Sequence, residues 1–271
     1  MSVTSVAPGS EERAPRRPPV EAKALVKLAR RAGAVALSRL RHPGAEGGGE
    51  PSPAAAVQRE IELLVRDELA RHAPAVAVLS EGFDGPAELR SGWRLVVGPV
   101  GGGSELRAGL PTWSVSLALL HDGAPVIGVV SVPALDDLYV AAQGKMTWNG
   151  VEVPRGGVAP QPGGFILGYA EFHRRRLIGF RGRPRAHGAI AYHMCLVARG
   201  AAEAAIIGRA RIWEVAAGLA LLDAVGGELV YLPGGQRVEP AALMHGGPAK
   251  DTMLAARLGS TARILKQIQR R

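Results

Sequence analysis

The chain has 271 residues, of which 47% are hydrophobic, and it carries a formal net charge of +9. This length and composition exclude a disordered chain and allow one large domain, or two small ones, with a sizeable core. The single cysteine, Cys195, excludes an internal disulfide framework and a zinc site built from several cysteines, and it favours a cytoplasmic protein. The positive charge permits an anionic partner but does not identify one.

The first half of the chain is predicted to contain two helices followed by strands. Residues 1–20 are polar and rich in proline, which is typical of a disordered tail and unlike a secretory signal. Apolar residues at helical spacing, and then apolar runs and alternation, predict the later elements. The predicted helices span 21–41 and 54–70, joined by a flexible connector over 42–53, and the predicted strands span 76–79, 95–97 and a β-rich segment over 113–153.

The second half is predicted to alternate strands with helices. A proline- and glycine-rich linker over 154–164 separates an N-terminal α+β subdomain, 21–153, from a C-terminal α/β subdomain, 154–271. The predicted strands are 165–169, 204–207 and 228–231, and the predicted helices are 189–199, 212–225 and a final amphipathic helix over 253–271. No apolar run reaches the roughly 18 residues that a membrane span needs, so no membrane partner is expected.

A glycine-rich loop follows the predicted strand 95–97, with the sequence Gly98-Pro99-Val100-Gly101-Gly102-Gly103-Ser104. A loop at the end of a buried strand is a common place for chemistry, because the strand fixes the backbone and the loop presents the groups. This loop presents almost no side-chain chemistry. Its backbone N–H groups from Gly101 to Ser104 either form a cradle for an oxyanion or belong to a plain turn.

Three stretches of the chain resemble the inositol monophosphatase family of magnesium-dependent sugar phosphatases. They are Ser80-Glu81 with the segment 93–116, the segment 188–200, and Trp213 to Gly218 followed by Gly226-Gly227. The resemblance covers about residues 21 to 257. It implies an α/β protein with a layered α-β-α-β-α sandwich, usually dimeric, so a homodimer is expected.

The resemblance also identifies where this chain departs from the family's metal ligands. Family acids correspond to Gly82, Gly98 and Gly101, the loop threonine to Gly103, and an earlier aspartate to Val57. The family's substrate-binding acid falls near Ile207, and Glu105 is expected to face solvent. Only Glu81 and Glu214 remain as carboxylates. We therefore expect that magnesium-dependent phosphatase chemistry has been lost, with no metal ion and no cofactor.

An emptied, less acidic pocket favours a repurposed enzyme as the first hypothesis. This would be a metal-independent cyclase, lyase or isomerase acting on a small organic metabolite of specialised biosynthesis. Glu81 and Glu214 would act as acid and base, since two nearby carboxylates split their pKa values; the alternative is that they pair with Arg94 or Arg211. The candidate ligand-binding residues are Gly98, Gly101, Gly102, Gly103, Ser104, Tyr169, His187 and His193, with His193 also compatible with a structural role.

Two further hypotheses remain open. A non-catalytic pseudo-phosphatase that binds a ligand or a protein would also explain the loss of loop chemistry. The basic segment from His173 to His187 contains six arginines, so it either binds a nucleic acid or forms a solvated loop.

Overall fold

The computed structural model describes residues 17–40, 53–82, 92–156, 164–169, 172, 176–178, 182–186, 188–257 and 259–270. Most of the predicted tail, residues 42–52 of the predicted connector and much of the basic segment therefore lie outside these ranges. In the part of the chain that is described, no helix is both long enough and apolar enough to cross a bilayer.

The first half of the chain forms a sheet covered by two helices. The helices are α1 (Ala22–Leu40) and α2 (Pro53–His72). The strands are β1 (Ala77–Leu79), β2 (Trp93–Gly101), β3 (Ser114–His121), β4 (Ala124–Val132), β5 (Asp137–Ala142), β6 (Lys145–Trp148) and β7 (Val151–Val153). They lie in chain order, with β1 parallel to β2 and every later pair antiparallel. A short helix, α3 (Gly103–Arg107), follows β2, and a 3-10 turn spans Pro133–Leu135.

The second half forms another sheet with its own helices. The strands are β8 (Phe165–Gly168), β9 (Arg176–Ile178), β10 (Arg183–Ala186), β11 (Ala204–Ile207), β12 (Glu228–Tyr231), β13 (Met253–Ala256) and β14 (Ile268–Arg270). The helices are α4 (Ile190–Ala198), α5 (Ile212–Val225) and α6 (Thr261–Leu265), with a 3-10 turn at Pro240–Leu243. The sheet order is β10-β8-β11-β13-β12, and β9 pairs separately with β14.

Three hydrophobic cores separate these elements into layers. Alternation along β2 sends Leu95 and Val97 toward α1 and α2, and Val96 toward α4 and α5 on the other face. Along β11, Ile207 faces α4 and α5, whereas Ile206 faces α6. Helix α5 is buried almost all round because it lies between the two sheets. The layers therefore follow the order α-β-α-β-α, which confirms the predicted fold class.

A buried arginine side chain holds the start of the linker between the two sheets. Arg257 follows β13, and its guanidinium donates to the carbonyl oxygens of Pro154, Gly156 and Ala198 at 2.7, 2.8 and 2.9 Å. Ala198 is the last residue of α4, so this side chain joins the linker to the helix that borders the cleft described below.

The predicted final helix over 253–271 is wrong. Residues Met253–Ala256 form β13, which pairs with both β11 and β12 and so lies inside the second sheet. An apolar run this short does not distinguish a strand from a buried helix, and the tertiary pairing decides it. Gly259, with a φ of +80°, then precedes the short α6.

Candidate active site

A cleft of about 460 Å³ opens between the two sheets, where the loop after β2 faces the first turns of α4 and α5. It brings together most of the predicted site residues. Those that line it are Glu81, Gly98, Gly101, Gly102, Gly103, Ser104, Tyr169, His193 and Glu214. His187 lies outside the described residues.

The glycine-rich loop begins later than predicted, because β2 continues to Gly101, and this strand is closely packed at Gly98. A Cβ at this position would contact Ser116 Oγ and would lie 2.6 Å from the carbonyl oxygen of Trp213 in α5. The pairing between β2 and β3 shifts register between Gly98 and Gly101. Gly102 then adopts a left-handed conformation, with a φ of +81°, at the start of α3. The absence of a side chain at Gly98 therefore lets β2 lie directly against the first turn of α5.

Glu81 and Glu214 meet in the cleft from opposite sides. Glu214 lies in the first turn of α5, where its Oε2 accepts a hydrogen bond from the backbone N–H of Arg211 at 2.8 Å. Burial raises the pKa of Glu214, and the negative charge of Glu81 raises it further, whereas the Arg211 backbone hydrogen bond and the Arg211 charge oppose this shift. Among the described contacts, no ion pair joins Arg94 to either glutamate; Arg94 is buried in β2.

Helix α2 contributes two residues that sequence reasoning missed. Gln58 donates from Nε2 to Glu81 Oε2 at 3.2 Å, so it contacts a carboxylate of the cleft. Val57, which was aligned with the family's early aspartate, is buried in the core between α2 and the first sheet and does not line the cleft. A polar residue one position along a helix from a core residue is the signal that could have corrected this choice.

The second missed residue is Glu62, which is buried behind Glu81. Its Oε1 accepts hydrogen bonds from Ser80 Oγ at 2.7 Å and from the Gly82 backbone N–H at 2.9 Å. A Cβ at Gly82 would contact the Glu62 carboxylate. Glu62 thus occupies the space beside Gly82 and binds the Ser80 hydroxyl and the Gly82 backbone, on either side of Glu81. Its position four residues after Gln58 places both on the same face of α2.

Glu105 also lines the cleft, so the expectation that it faces solvent is wrong. Its Oε2 accepts from Ser104 Oγ at 2.7 Å and its Oε1 accepts from the Gly188 backbone N–H at 3.2 Å. These bonds hold its carboxylate between the loop and the residues before α4. The expected cradle from Gly101 to Ser104 is therefore bordered by an acid on one side.

The first turns of α4 and α5 both border the cleft. Ile190 and Ala191 of α4 and Glu214 of α5 line it, together with Gly188 and Arg211, which lie just before these helices. Helix N-termini carry partial positive charge and unpaired N–H groups, which favour bound anions such as phosphate. His193, on α4, is almost completely buried and reaches the cleft from inside the core. The cleft therefore combines carboxylates with two anion-attracting helix ends.

The model of the inositol monophosphatase family matches residues 20–267 of the chain. The chain belongs to this family. Among curated proteins, this family member is 32% identical to a histidinol-phosphatase of Mycobacterium tuberculosis over 221 residues, covering 74% of this chain and 80% of that protein. It is 34% identical to a probable inositol 1-monophosphatase, ImpA, of the same organism over 221 residues, covering 74% and 81%.

Solved structures of the family share its fold. Inositol monophosphatase II of Staphylococcus aureus superimposes with a TM-score of 0.75 at 22% identity, covering 88% of this chain and 91% of that chain. The suhB protein of Bartonella henselae gives a TM-score of 0.73 at 21% identity, covering 90% and 96%. At this level of identity the likeness concerns the fold alone.

The prediction of a family member that has lost magnesium-dependent phosphatase chemistry is wrong. The relatives identified by sequence are named phosphatases, and the family assignment conflicts with a metal-independent cyclase, lyase or isomerase and with a pseudo-phosphatase. The prediction went from acids missing in one loop to a missing activity. The structure brings Glu81 and Glu214 into one cleft, as expected, but a pair of carboxylates is also what a divalent cation needs.

The donors of the cleft fit one divalent cation. Magnesium prefers oxygen ligands and is commonly held by one or two carboxylates together with water and substrate phosphate. Glu81 and Glu214 supply two such carboxylates whose mutual repulsion a cation would relieve. Across the described ranges, no group of three or more His, Cys, Asp and Glu side chains is placed to hold a metal. These residues therefore do not fit a cluster of several ions.

Proposed function

We propose that this family member is a magnesium-dependent phosphatase that hydrolyses the phosphate monoester of a small organic molecule. The observation that carries the proposal is the convergence of Glu81 and Glu214 in a cleft bordered by the first turns of α4 and α5. The cleft thus offers oxygen ligands for a cation and helix N-termini for a phosphate. The sequence relatives named as histidinol and inositol phosphatases support the same class of reaction.

Glu81 and Glu214 are the residues that would hold the cation. Magnesium bound there would neutralise phosphate charge and lower the pKa of a bound water. Hydrogen bonds fix both carboxylates, from Gln58 to Glu81 and from the Arg211 backbone to Glu214. Glu62 binds the Ser80 hydroxyl and the Gly82 backbone, which hold the two neighbours of Glu81 in place.

The N–H groups at the start of α4 would orient the phosphate toward these carboxylates. In an α-helix the first N–H groups have no partner within the helix, and phosphate oxygens can accept from them. Glu81 is exposed at the mouth of the cleft, so one of its carboxylate oxygens can accept a proton from the attacking water. The two glutamates therefore have different environments: Glu81 is exposed, and Glu214 is largely buried.

Phosphate release from a panel of monoesters tests the proposal. The panel includes histidinol phosphate and inositol 1-phosphate, each assayed with magnesium and with excess EDTA. We expect hydrolysis of at least one ester that stops with EDTA and falls by roughly 100-fold or more in Glu81→Gln and Glu214→Gln. The matched control is Glu152→Gln. Glu152 is an exposed glutamate of β7 that pairs with Lys145 and lies outside the cleft. Absence of release from every ester, or full activity in both cleft variants, would overturn the proposal.

A further inference from the structure

One wall of the cleft is apolar. The second sheet and α4 contribute Tyr169, Ala186, Ile190, Ala191 and Ile207 to its lining, and this set is called the apolar wall below. Ile207 ends β11 and is almost completely buried in the central core. Glu81 and Glu105 line the cleft from the side of the first sheet. The cleft therefore has a charged part and an apolar part within one cavity.

The ring of Tyr169 has fixed support in this wall. The ring lies beside Gly208, just after β11, where a Cβ would be 3.8 Å from it, an ordinary packing distance. Phe172 meets the ring edge-on, with the centroids 6.2 Å apart and the planes at 71°. Phe172 itself packs over Gly168 at the end of β8. Gly168 thus gives Phe172 room at the end of β8, and Phe172 in turn supports the ring of Tyr169.

We propose that the apolar wall binds the organic part of the substrate, and that the cleft selects the phosphate ester of an apolar ring alcohol over that of a polyol. The inference rests on the proposed phosphatase function, and it specifies the substrate class. Among the described residues on this side of the cleft, the side-chain groups able to form a hydrogen bond are the Tyr169 hydroxyl and the imidazole of His193 on α4. A polyol placed there would lose water from several hydroxyls and meet only these two described side-chain partners, whereas an apolar ring would gain from burial.

The size of the cleft agrees with such a ligand. Small-molecule sites typically enclose about 300–1,000 Å³ and combine apolar walls with a few polar groups that fix orientation. The cleft encloses about 460 Å³. The phosphate would lie at the helix ends beside Glu81 and Glu214, which leaves the ring against Tyr169 and Ile207.

Two esters with the same ring skeleton test this inference. Cyclohexyl phosphate and myo-inositol 1-phosphate both carry phosphate on a six-membered ring, and the second has a hydroxyl on every remaining carbon. We expect kcat/KM for cyclohexyl phosphate to be at least about tenfold higher, which is the order of penalty for one hydroxyl left without a partner. Inositol is the better leaving group, so intrinsic reactivity works against the expected preference.

Variants of Tyr169 locate the source of the preference. Tyr169→Ala should reduce the ratio of the two kcat/KM values by roughly tenfold, because the ring is removed. Tyr169→Phe should keep the ratio, because the ring remains. Trp148→Ala is the control, since Trp148 is an exposed aromatic residue of β6 outside the cleft lining. A ratio unchanged in Tyr169→Ala would overturn the assignment of the wall.

The two proposals fail in different ways. Hydrolysis of both esters with a preference for myo-inositol 1-phosphate would overturn this inference and leave the phosphatase proposal standing. Hydrolysis of neither ester would count against the phosphatase proposal, and the inference would then be decided by calorimetry with the same two compounds. Tighter binding of cyclohexyl phosphate supports it, and equal or weaker binding overturns it.

Discussion

Replacing Gly98 by aspartate should destabilise the protein. The new Cβ would lie 2.6 Å from the carbonyl oxygen of Trp213, and it would also contact Ser116 Oγ. Carbon–oxygen contacts normally begin at about 3.3 Å, so β2 and the first turn of α5 would have to separate by roughly 0.7 Å. Neither element can yield easily, because α5 is buried between two sheets and β2 pairs on both sides.

The expected loss follows from these contacts. Overpacking in a close-packed core costs about 1–3 kcal/mol. Ser116 Oγ donates to the Trp213 carbonyl at 3.3 Å, and losing this hydrogen bond adds about 1 kcal/mol. The free energy of unfolding should therefore fall by about 2–4 kcal/mol. For a chain of this size, that corresponds to a decrease in Tm of roughly 5–15 °C.

Urea and thermal unfolding of two glycine variants measure this effect. The matched control is Gly103→Ala at the start of α3, where the new Cβ would meet only Arg107 Nη1, at 3.7 Å. We expect Gly103→Ala to be as stable as the wild type or slightly more stable, because alanine favours the helix that begins there. If Gly98→Asp proved as stable as Gly103→Ala, the argument from close packing at Gly98 would be refuted.

Three further changes test the contacts around the cleft. Glu62→Ala should lower the free energy of unfolding by about 2–4 kcal/mol in urea, because Ser80 and the Gly82 N–H lose their buried acceptor, and Glu62→Gln should lose less. Arg257→Met should cost about 2–4 kcal/mol by the same measurement, since three carbonyl oxygens lose their donor; a loss under 1 kcal/mol would contradict the reasoning. Burial and the charge of Glu81 raise the pKa of Glu214, so the folded protein holds this proton more tightly than the unfolded chain. Without added cation, the free energy of unfolding of the wild type should therefore fall relative to that of Glu214→Gln as pH rises from the ordinary pKa of a glutamate to the raised pKa of Glu214. A relative free energy that rises over this pH range would show that the sign is wrong.

The sequence predicted most of the elements that build the cleft. The segment 204–207 forms β11 as predicted, and the predicted helix 212–225 ends at Gly226, whose φ of +78° supplies the left-handed conformation that ends many helices. Within the predicted β-rich segment 113–153, the turn between β3 and β4 has positive φ at Asp122 and Gly123, residue types that favour such turns. These features depend on local residue chemistry, which the sequence displays directly.

Contacts between distant segments were harder to predict. Val57 and Gln58 are neighbours on α2, but Val57 lies in the core, whereas Gln58 contacts Glu81. From the sequence alone, Glu62 resembles a surface acid of a helix. Its buried role depends on Ser80 and Gly82, which are distant in the sequence. The strand β13 is decided by its partners β11 and β12. The subdomain boundary near residue 154 and the homodimer stay predictions.

The measurement that tests the account most directly is steady-state phosphate release by the wild-type protein and by Glu214→Gln, with saturating magnesium and a single monoester such as cyclohexyl phosphate. Glu214 joins the anion-attracting end of α5 to the carboxylate pair. The account predicts turnover by the wild type that EDTA abolishes, and a loss of roughly 100-fold or more in the variant. Equal turnover by the two proteins, or turnover by the wild type that persists in EDTA, would contradict it.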